Sequence, residues 1–264
     1  MQLFECFDYF TFKLHNITKN FIDHIDSFRY HIVMKRIIIA NWKMNGSLKL
    51  IREFHSIQPN PHTDIVVCPP ACYLSHLKTA PFLLGAQDCH WETNGAHTGE
   101  VSACQLKELG CTYVIVGHSE RRAQFNETNV LINKKAIQAI QQGLAPVICI
   151  GETYEERDEN RFEHVLLSQI DQTTHLLNPC QYIIAYEPIW SIGTGLIPTP
   201  NDIRTVVSLI KKRLGDTTTI VYGGSVNDKN ASDISRVPSL NGVLVGGASL
   251  KVNTFQAIVD AFQH

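Results

Sequence analysis

Residues 113–150 read YVIVGHSERRAQFNETNVLINKKAIQAIQQGLAPVICI, and this stretch contains the pattern that decides the fold. It begins with the continuous apolar run Tyr113–Val116 and ends with a second such run, Val147–Ile150. Between them, Asn129–Gln142 carries apolar residues at helical spacing and is followed by Gly143, a typical helix-end signal. Because continuous apolar runs are typical of parallel strands covered on both faces, the stretch predicts one strand–helix–strand unit of a parallel sheet.

The same alternation continues outward in both directions. We predict eight strands: Arg36–Ala40, Ile65–Cys68, Leu83–Gln87, Tyr113–Val116, Val147–Ile150, Tyr182–Tyr186, Thr219–Tyr222 and Gly242–Val245. Further helices are predicted at Tyr154–Leu177, Asn201–Leu214 and Thr254–Phe262, with shorter ones at Ile51–His55, Leu74–Leu77 and Gln105–Leu109. Eight repeats without a linker predict a single-domain α/β fold, the (β/α)₈ or TIM barrel. A doubly wound open sheet is the alternative, but no G-x-G-x-x-G follows the first strand.

Composition and charge exclude several classes of function. The chain has 264 residues, of which 44% are hydrophobic, as in ordinary globular proteins. It has 23 Lys and Arg residues and 25 Asp and Glu residues, and its basic residues form no continuous run. This pattern argues against a nucleic-acid binder. No stretch of about 18 consecutive apolar residues is present, so we expect no membrane span and no membrane partner.

The eight cysteines are interpreted as reduced thiols. No pair has C-x-x-C spacing, and Cys68 and Cys72 lack a second ligand pair for zinc, so no metal site is expected. Reduced thiols are typical of a reducing compartment, which favours a cytoplasmic protein.

Residues 1–33 differ in composition from the rest of the chain. They hold 8 of the 23 aromatic residues, so we predict an extension of unknown role at 1–33 and a barrel catalytic domain at 34–264. The charges of Glu5, Asp8 and Lys13 interrupt the apolar residues, unlike in a signal peptide. Met34 reads as a second start, so the extension is either an artefact of the assigned start, an appendage that packs on the barrel, or a targeting segment.

The candidate site follows from the barrel. In such barrels the carboxyl ends of all strands meet at one rim, where active sites lie. The residues at those ends are Asn41-Trp42-Lys43, Gln87-Asp88, Gly117-His118-Ser119-Glu120, Glu187, Gly223-Gly224-Ser225 and Gly246-Gly247. A carboxylate, an imidazole and an ammonium group therefore converge with glycine-rich turns. Each alone is more often structural, but together they predict a catalytic site.

Three glycine-rich loops have one physical use in common. Gly193, Ser225 and Gly246-Gly247 lie after strands six, seven and eight. Backbone N–H groups in such turns can hold a phosphate dianion, and barrels often bind phosphate after strands seven and eight. A near-neutral chain can therefore bind a phosphorylated substrate without an arginine cluster.

Five motifs resemble those of triosephosphate isomerases, in order and from Met34 to the C-terminus. They read NWKMNG at 41–46, GHSERR at 117–122, AYEPIWSIGTG at 185–195, YGGSV at 222–226 and VGGASL at 245–250. Within them, Ser191 stands where the family usually has Ala, and outside them Asp88 stands where it usually has Asn.

The resemblance implies an aldose–ketose isomerase of glycolysis and gluconeogenesis. It would interconvert dihydroxyacetone phosphate and D-glyceraldehyde 3-phosphate through an enediolate, with this triose phosphate as its small-molecule partner and without metal or organic cofactor. By resemblance, Glu187 is the catalytic base, His118 is the neutral electrophile, and Lys43 and Asn41 bind substrate. The phosphate would be held by Gly193, Ser225, Gly246 and Gly247, under a mobile lid at Pro188–Gly195.

Two supporting residues also follow from the resemblance. Glu120 corresponds to a second carboxylate near Lys43. Thr98 lies in the Gly95–Glu100 loop, which in family dimers inserts beside the partner's active site. The resemblance therefore implies a homodimer in which Thr98 approaches Asn41 of the partner subunit.

Two other functions are compatible with part of this set of residues. Lys43 could form a Schiff base in a phosphosugar aldolase or synthase, which borohydride trapping would reveal. A non-catalytic barrel that serves as a binding protein is the other alternative, and the intact set of base, electrophile, lid and phosphate residues argues against it.

Overall fold

The computed structural model describes residues 35–192 and 196–263. The predicted extension at 1–33 lies outside these residues, and so does Gly193 of the predicted phosphate site. The chain from Arg36 onward groups into one compact unit. No helix in the described part is long and apolar enough to cross a membrane.

Eight parallel strands close into a barrel in chain order, which confirms the (β/α)₈ prediction. They are β1 (Arg36–Asn41), β2 (Thr63–Cys68), β3 (Leu83–Ala86), β4 (Cys111–Val116), β5 (Ala145–Ile150), β6 (Ile183–Tyr186), β7 (Thr219–Tyr222) and β8 (Gly242–Val245). Closure is made by β1, which pairs with β2 on one side and with β8 on the other, where Ile37 lies opposite Gly242.

Nine α-helices of the described residues surround the strands. They are α1 (Leu48–Phe54), α2 (Ala103–Glu108), α3 (Ser119–Phe125), α4 (Asn129–Gln141), α5 (Tyr154–Asp158), α6 (Phe162–Thr173), α7 (Pro200–Leu214), α8 (Ala231–Ser235) and α9 (Val252–Ala261). Short 3₁₀ turns occur at Ala71–Leu77, Pro179–Gln181, Ile189–Ser191 and Gly247–Leu250. The best-marked start is that of α7, where Thr199 and Asp202 form a reciprocal capping box.

Strand residues alternate between two cores. Ile38 and Ala40 of β1 pack in the larger cluster, which includes buried residues of the helices. Ile37 and Ile39 belong to a second cluster, whose buried members are strand residues only: Ile37, Ile39, Val66, Cys68, Ile115, Val147, Cys149, Ile183, Ala185, Val221 and Leu244. Because successive side chains of a strand point to opposite faces, the second cluster fills the barrel interior.

The same alternation aims the rim residues inward. Asn41 lies two residues after the inward Ile39, and Glu187 lies two residues after the inward Ala185. Gly223 and Gly246 are likewise two residues beyond inward positions of β7 and β8. The strand period therefore places these residues over the barrel axis.

The predicted single helix Tyr154–Leu177 is wrong. The structure divides it into α5 and α6, separated by Asn160 in the left-handed region at φ 57°. Asparagine tolerates this conformation better than most residues, and one such residue ends an α-helix. The short helix α8 is a further difference, since no helix is predicted there.

Candidate active site

A cavity of about 510 Å³ opens at the carboxyl ends of the strands. It is lined by Asn41, Lys43, His118, Glu120, Glu187, Ile192, Gly223, Gly224, Ser225, Val226, Asn227, Leu244, Gly246 and Gly247. Eight of the ten predicted site residues therefore lie together. The two exceptions are Gly193, outside the described residues, and Thr98, which is exposed and not part of this lining.

The imidazole of His118 and the carboxylate of Glu187 face each other in the cavity. His118 Nε2 lies 3.2 Å from Glu187 Oε1, and the two side chains are 8% and 2% exposed. The other ring nitrogen, Nδ1, accepts a hydrogen bond of 3.2 Å from the backbone N–H of Glu120 in the first turn of α3. Because Nδ1 accepts, the proton of a neutral ring sits on Nε2, which points toward the cavity.

The two oxygens of Glu187 have different surroundings. Oε2 accepts a hydrogen bond of 2.9 Å from the backbone N–H of Ser119. Oε1 is buried and, although it lies near His118 Nε2, has no hydrogen-bond partner among the described residues. A buried acceptor without a partner is costly and rare, and it is expected where a substrate supplies the missing proton.

The backbone of Glu187 rests on the end of β5. Its N–H donates to the carbonyl of Ile150 at 2.7 Å. A Cβ atom at Gly151 would lie 1.8 Å from the Glu187 carbonyl oxygen, so only glycine fits at residue 151. The position of the carboxylate therefore depends on a strand that contributes no side chain to the cavity.

Lys43 is held at both its backbone and its ammonium group. Its φ of 53° is unusual for a residue with a side chain. The Asn41 side chain accepts from its N–H at 3.0 Å, and Gln87 Nε2 donates to its carbonyl at 2.8 Å. The ammonium lies 2.7 Å from Glu120 Oε1. Strained backbone held by several contacts is common where a side chain must be placed accurately.

Glu152 joins the base of the predicted lid to the barrel. It is fully buried, and its Oε1 accepts from Trp190 Nε1 at 2.9 Å, from the Tyr186 hydroxyl at 3.0 Å and from Arg157 Nη1 at 3.1 Å. Its own carbonyl accepts from the N–H of Ile189 at 3.1 Å. The described start of the lid is thereby tied to the residue that follows Gly151.

The turn after β7 contacts the lid as well. Ser225 Oγ donates to the carbonyl of Ser191 at 2.8 Å, and the Ser191 hydroxyl donates to the carbonyl of Pro188 at 2.9 Å. A Cβ atom at Gly224 would lie 2.2 Å from the Tyr222 hydroxyl and 3.0 Å from Ser191 Oγ. The glycine at residue 224 therefore lets the lid approach this turn.

A buried ionic network lies beneath the rim next to Asp88. Lys135 Nζ lies 2.7 Å from both Asp88 oxygens and 2.6 Å from Glu127 Oε1, while Arg121 contacts both acids at 2.9 and 2.6 Å. Burial raises the pKa of Asp88 to about 6, with a further contribution from Glu127, although Lys135 and Arg121 oppose the shift. The carboxylate that replaces the family's usual Asn therefore gains and loses its proton near pH 6.

Sequence reasoning misses several residues that shape the site. It marks Gln87 only as a strand end and assigns no role to Glu152 or Arg122. Their partners are backbone groups or side chains of distant elements, so no local pattern marks them.

The buried thiol of Cys149 has its pKa raised by burial and by the neighbouring Glu187 carboxylate.

No group of three or more His, Cys, Asp and Glu side chains in the described ranges is arranged to hold a metal ion. The seven cysteines that the structure describes are free.

The chain is similar to known proteins both in sequence and in fold. The family model described as triosephosphate isomerase matches residues 36–262. A triosephosphate isomerase of Acidiphilium cryptum is 43% identical over 249 residues, covering 86% of this chain and 98% of the relative. That of Herminiimonas arsenicoxydans is 40% identical over 245 residues, covering 86% and 99%. The crystal structure of triosephosphate isomerase from Bartonella henselae superposes with a TM-score of 0.80 at 36% identity, covering 87% of this chain and all of that one.

Proposed function

Because the chain belongs to the triosephosphate isomerase family, we propose that Glu187, His118 and Lys43 carry out its reaction in the cavity described above. The protein is an isomerase that interconverts dihydroxyacetone phosphate and D-glyceraldehyde 3-phosphate, a reaction of glycolysis. The assignment of each role rests on the contacts of these side chains.

Glu187 is the base. Its Oε1 is buried, has no hydrogen-bond partner among the described residues and lies in the cavity wall, so it can accept a proton from C1 of dihydroxyacetone phosphate. The same oxygen returns the proton to C2 of the enediolate, which gives the aldehyde. This unpartnered oxygen beside His118 is the observation that carries the proposal.

His118 acts as a neutral proton donor to the substrate oxygens. With Nδ1 occupied by the N–H of Glu120, the ring presents Nε2–H to the cavity. That N–H can stabilise the oxyanion of the enediolate and pass a proton between the two oxygens. A glutamate base paired with a neutral histidine at a helix N-terminus is the established arrangement of the triosephosphate isomerase family.

Lys43 and the glycine turns bind the charged parts of the substrate. The ammonium group, fixed by Glu120 at 2.7 Å, provides a positive charge in a cavity without an arginine among its lining residues. Asn41 lies beside it and is 5% exposed. Ser225, Gly246 and Gly247 line the same cavity and offer backbone groups to the phosphate. Gly193 is proposed to join them.

The aldolase alternative is disfavoured by the contact of Lys43. A Schiff base requires the amine to attack a carbonyl carbon, whereas Lys43 Nζ is held in an ion pair 2.7 Å from Glu120 Oε1 that would first have to break.

A coupled assay tests the proposal. Wild-type protein and D-glyceraldehyde 3-phosphate are mixed with an enzyme that reduces dihydroxyacetone phosphate with a nicotinamide cofactor. We expect turnover in the wild type, loss on the order of 10³-fold in Glu187→Gln, and full activity in Glu155→Gln, which alters an exposed carboxylate. Borohydride trapping of substrate on Lys43, without isomerisation, would instead support the aldolase.

We further propose a cytoplasmic homodimer. Met44 is 96% exposed and Phe125 is 61% exposed, and both line a second cavity of about 340 Å³ beside Lys43 and Asp88. Apolar side chains at such a position are expected where another subunit covers them. We propose that the Gly95–Glu100 loop of each subunit enters this cavity of the other subunit. Thr98 would then lie near Asn41 of the partner subunit. The free cysteines support a reducing compartment.

A further inference from the structure

Strand β5 has an unexplained feature. It contributes no side chain to the cavity lining, yet side chains from the helical layer fix its end. Gln169 of α6 holds Gly151 with two hydrogen bonds, accepting from its N–H at 2.8 Å and donating to its carbonyl at 2.9 Å. Arg122 of α3 donates to the carbonyl of Cys149 at 2.9 Å. Side chains that satisfy the backbone of a strand end fix its position accurately.

The guanidinium of Arg122 makes three hydrogen bonds in different directions. Besides Nη2 to Cys149, Nε donates to the carbonyl of Gly117 at 2.8 Å, and Nη1 donates to Asn129 Oδ1 at 2.6 Å. The planar fork of an arginine suits such a junction, whereas a lysine ammonium is a single point charge and cannot reproduce it. Arg122 therefore joins the end of β4, the end of β5 and the start of α4.

These junctions are adjacent to both proposed catalytic groups. Gly117 directly precedes His118, so its carbonyl belongs to the peptide that carries the histidine. Cys149 directly precedes Ile150, whose carbonyl accepts the backbone N–H of Glu187. The guanidinium thus bonds the peptide that carries His118, and it bonds the strand to which the backbone of Glu187 is hydrogen-bonded.

The charge of Arg122 also belongs to this region. Burial lowers its pKa, whereas Cys149 and the carboxylates of Glu187 and Glu127 favour its charged form. Arg122 is partly buried, and a cation withdrawn from water is costly unless it is well bonded; here all three nitrogens of the fork have acceptors. The guanidinium therefore holds together backbone groups that flank the site.

We propose that Arg122 is a positioning residue that fixes the spacing between His118 and Glu187 by bonding the ends of β4 and β5. The inference rests on the roles assigned above to these two residues. Arg122 is not among the residues that line the cavity, and it acts through the backbone of Gly117 and Cys149. Misplacement by about 1 Å at a reacting centre can lower a rate on the order of 10²-fold.

The test compares Arg122→Lys and Asn129→Ala with the wild type. Asn129→Ala removes one acceptor of the guanidinium at a partly exposed position and leaves the other two. We measure kcat, KM, folding by circular dichroism, and the kinetic isotope effect with dihydroxyacetone phosphate deuterated at C1. We expect Arg122→Lys to lower kcat on the order of 10-fold or more, Asn129→Ala to lower it less, and KM to change little in both.

The isotope effect separates positioning from stability. If the base and the electrophile are misplaced, proton abstraction slows relative to product release, so the isotope effect on kcat rises above the wild-type value. Partial unfolding lowers the number of active molecules but leaves the isotope effect unchanged. Leu166→Ala, which opens a cavity in the core at α6 away from the site, is the matched control for lost stability.

A wild-type kcat and isotope effect in folded Arg122→Lys would overturn the inference. Should Arg122→Lys not fold, Asn129→Ala decides by the same criterion. If the wild type itself does not isomerise the triose phosphates, the proposed function fails, and this outcome is seen before any variant is measured.

Discussion

The carbonyl oxygen of Glu187 packs against the Cα atom of Gly151 so closely that a Cβ atom there would lie 1.8 Å away. The same kind of contact occurs at the opposite end of the barrel, where a Cβ at Gly242 would lie 1.7 Å from the carbonyl oxygen of Ile37. Neither glycine has a positive φ, so both substitutions act through the clash alone. The two positions therefore form a matched pair, one beside the base and one remote from it.

We predict that Gly151→Ala and Gly242→Ala both lower the melting temperature. Only Gly151→Ala should lower kcat per folded molecule, on the order of 10-fold or more, because it displaces the base. Circular dichroism gives the folded fraction and the coupled assay gives kcat. Equal kcat losses in the two variants would show that the contact at residue 151 serves stability alone.

Glu187→Asp is expected to withdraw the carboxylate by roughly 1 Å and to lower kcat on the order of 10²-fold or more, with KM changed much less. The exposed Glu155→Asp serves as the control. An unchanged kcat in Glu187→Asp would remove Glu187 from its proposed role.

Asp88 should make stability depend on pH. Its folded-state pKa of about 6 lies above the ordinary 3.8, so the folded chain binds this proton more tightly than the unfolded chain. Its contribution to the free energy of unfolding is therefore most favourable below about pH 3.8, and it is lost as the pH rises through about 6. The free energy of unfolding of Asp88→Asn, taken relative to that of the wild type, should therefore increase as the pH is raised from 5 to 8.

Urea unfolding at fixed protein concentration measures this difference, with the exposed Asp233→Asn as the control. A difference between Asp88→Asn and the wild type that is the same at pH 5 and pH 8 would mean that Asp88 does not titrate in this range.

The homodimer is checked by sedimentation. At micromolar concentration we expect a species of about twice 29.7 kDa. Thr98→Arg should weaken association and make the specific activity depend on concentration, because the loop carrying Thr98 is the proposed contact. Ser232→Arg, an exposed substitution on α8, should change neither quantity. A fully active monomer at all concentrations contradicts the proposal.

A chain that starts at Met34 should keep kcat/KM within about twofold of the full chain, because every proposed site residue lies at or after Asn41 and the family model begins at residue 36. Expression of both forms and the coupled assay provide the comparison. Loss of folding in the shorter form would make residues 1–33 an integral part of the barrel.

The strands could be predicted well from the sequence because their apolar runs are continuous and end in turn residues. β3 and β6 are each one residue shorter than predicted, and the other errors lie where backbone pairing continues beyond the apolar run. β5 begins at Ala145 and includes Pro146, and β4 begins at Cys111. The break at Asn160 escapes prediction because the apolar spacing on both sides fits one helix, and only the left-handed backbone of one residue separates α5 from α6.

The site was predictable where a side chain directly follows a strand. Asn41 and Glu187 each lie two residues after a strand residue of β1 or β6 that faces the barrel interior. The two-residue period of a strand therefore predicts that they face inward as well. Arg122 was not predictable as a backbone donor, since its acceptor at Cys149 is 27 residues away and meets it only after the barrel closes. One signal was present: Arg122 lies four residues after His118, the spacing of neighbours on a helix.

Because strand side chains alternate between the barrel interior and the helices, the number of residues in each strand matters more than which aliphatic side chain stands at each position. A single residue inserted in β6 would turn Glu187 from the axis toward the helices and leave the apolar composition of the wall unchanged. Variation in this chain should therefore be tolerated as exchange of one aliphatic residue for another within strands. Gains and losses of residues should be confined to the loops that do not lead directly into Asn41, His118 or Glu187.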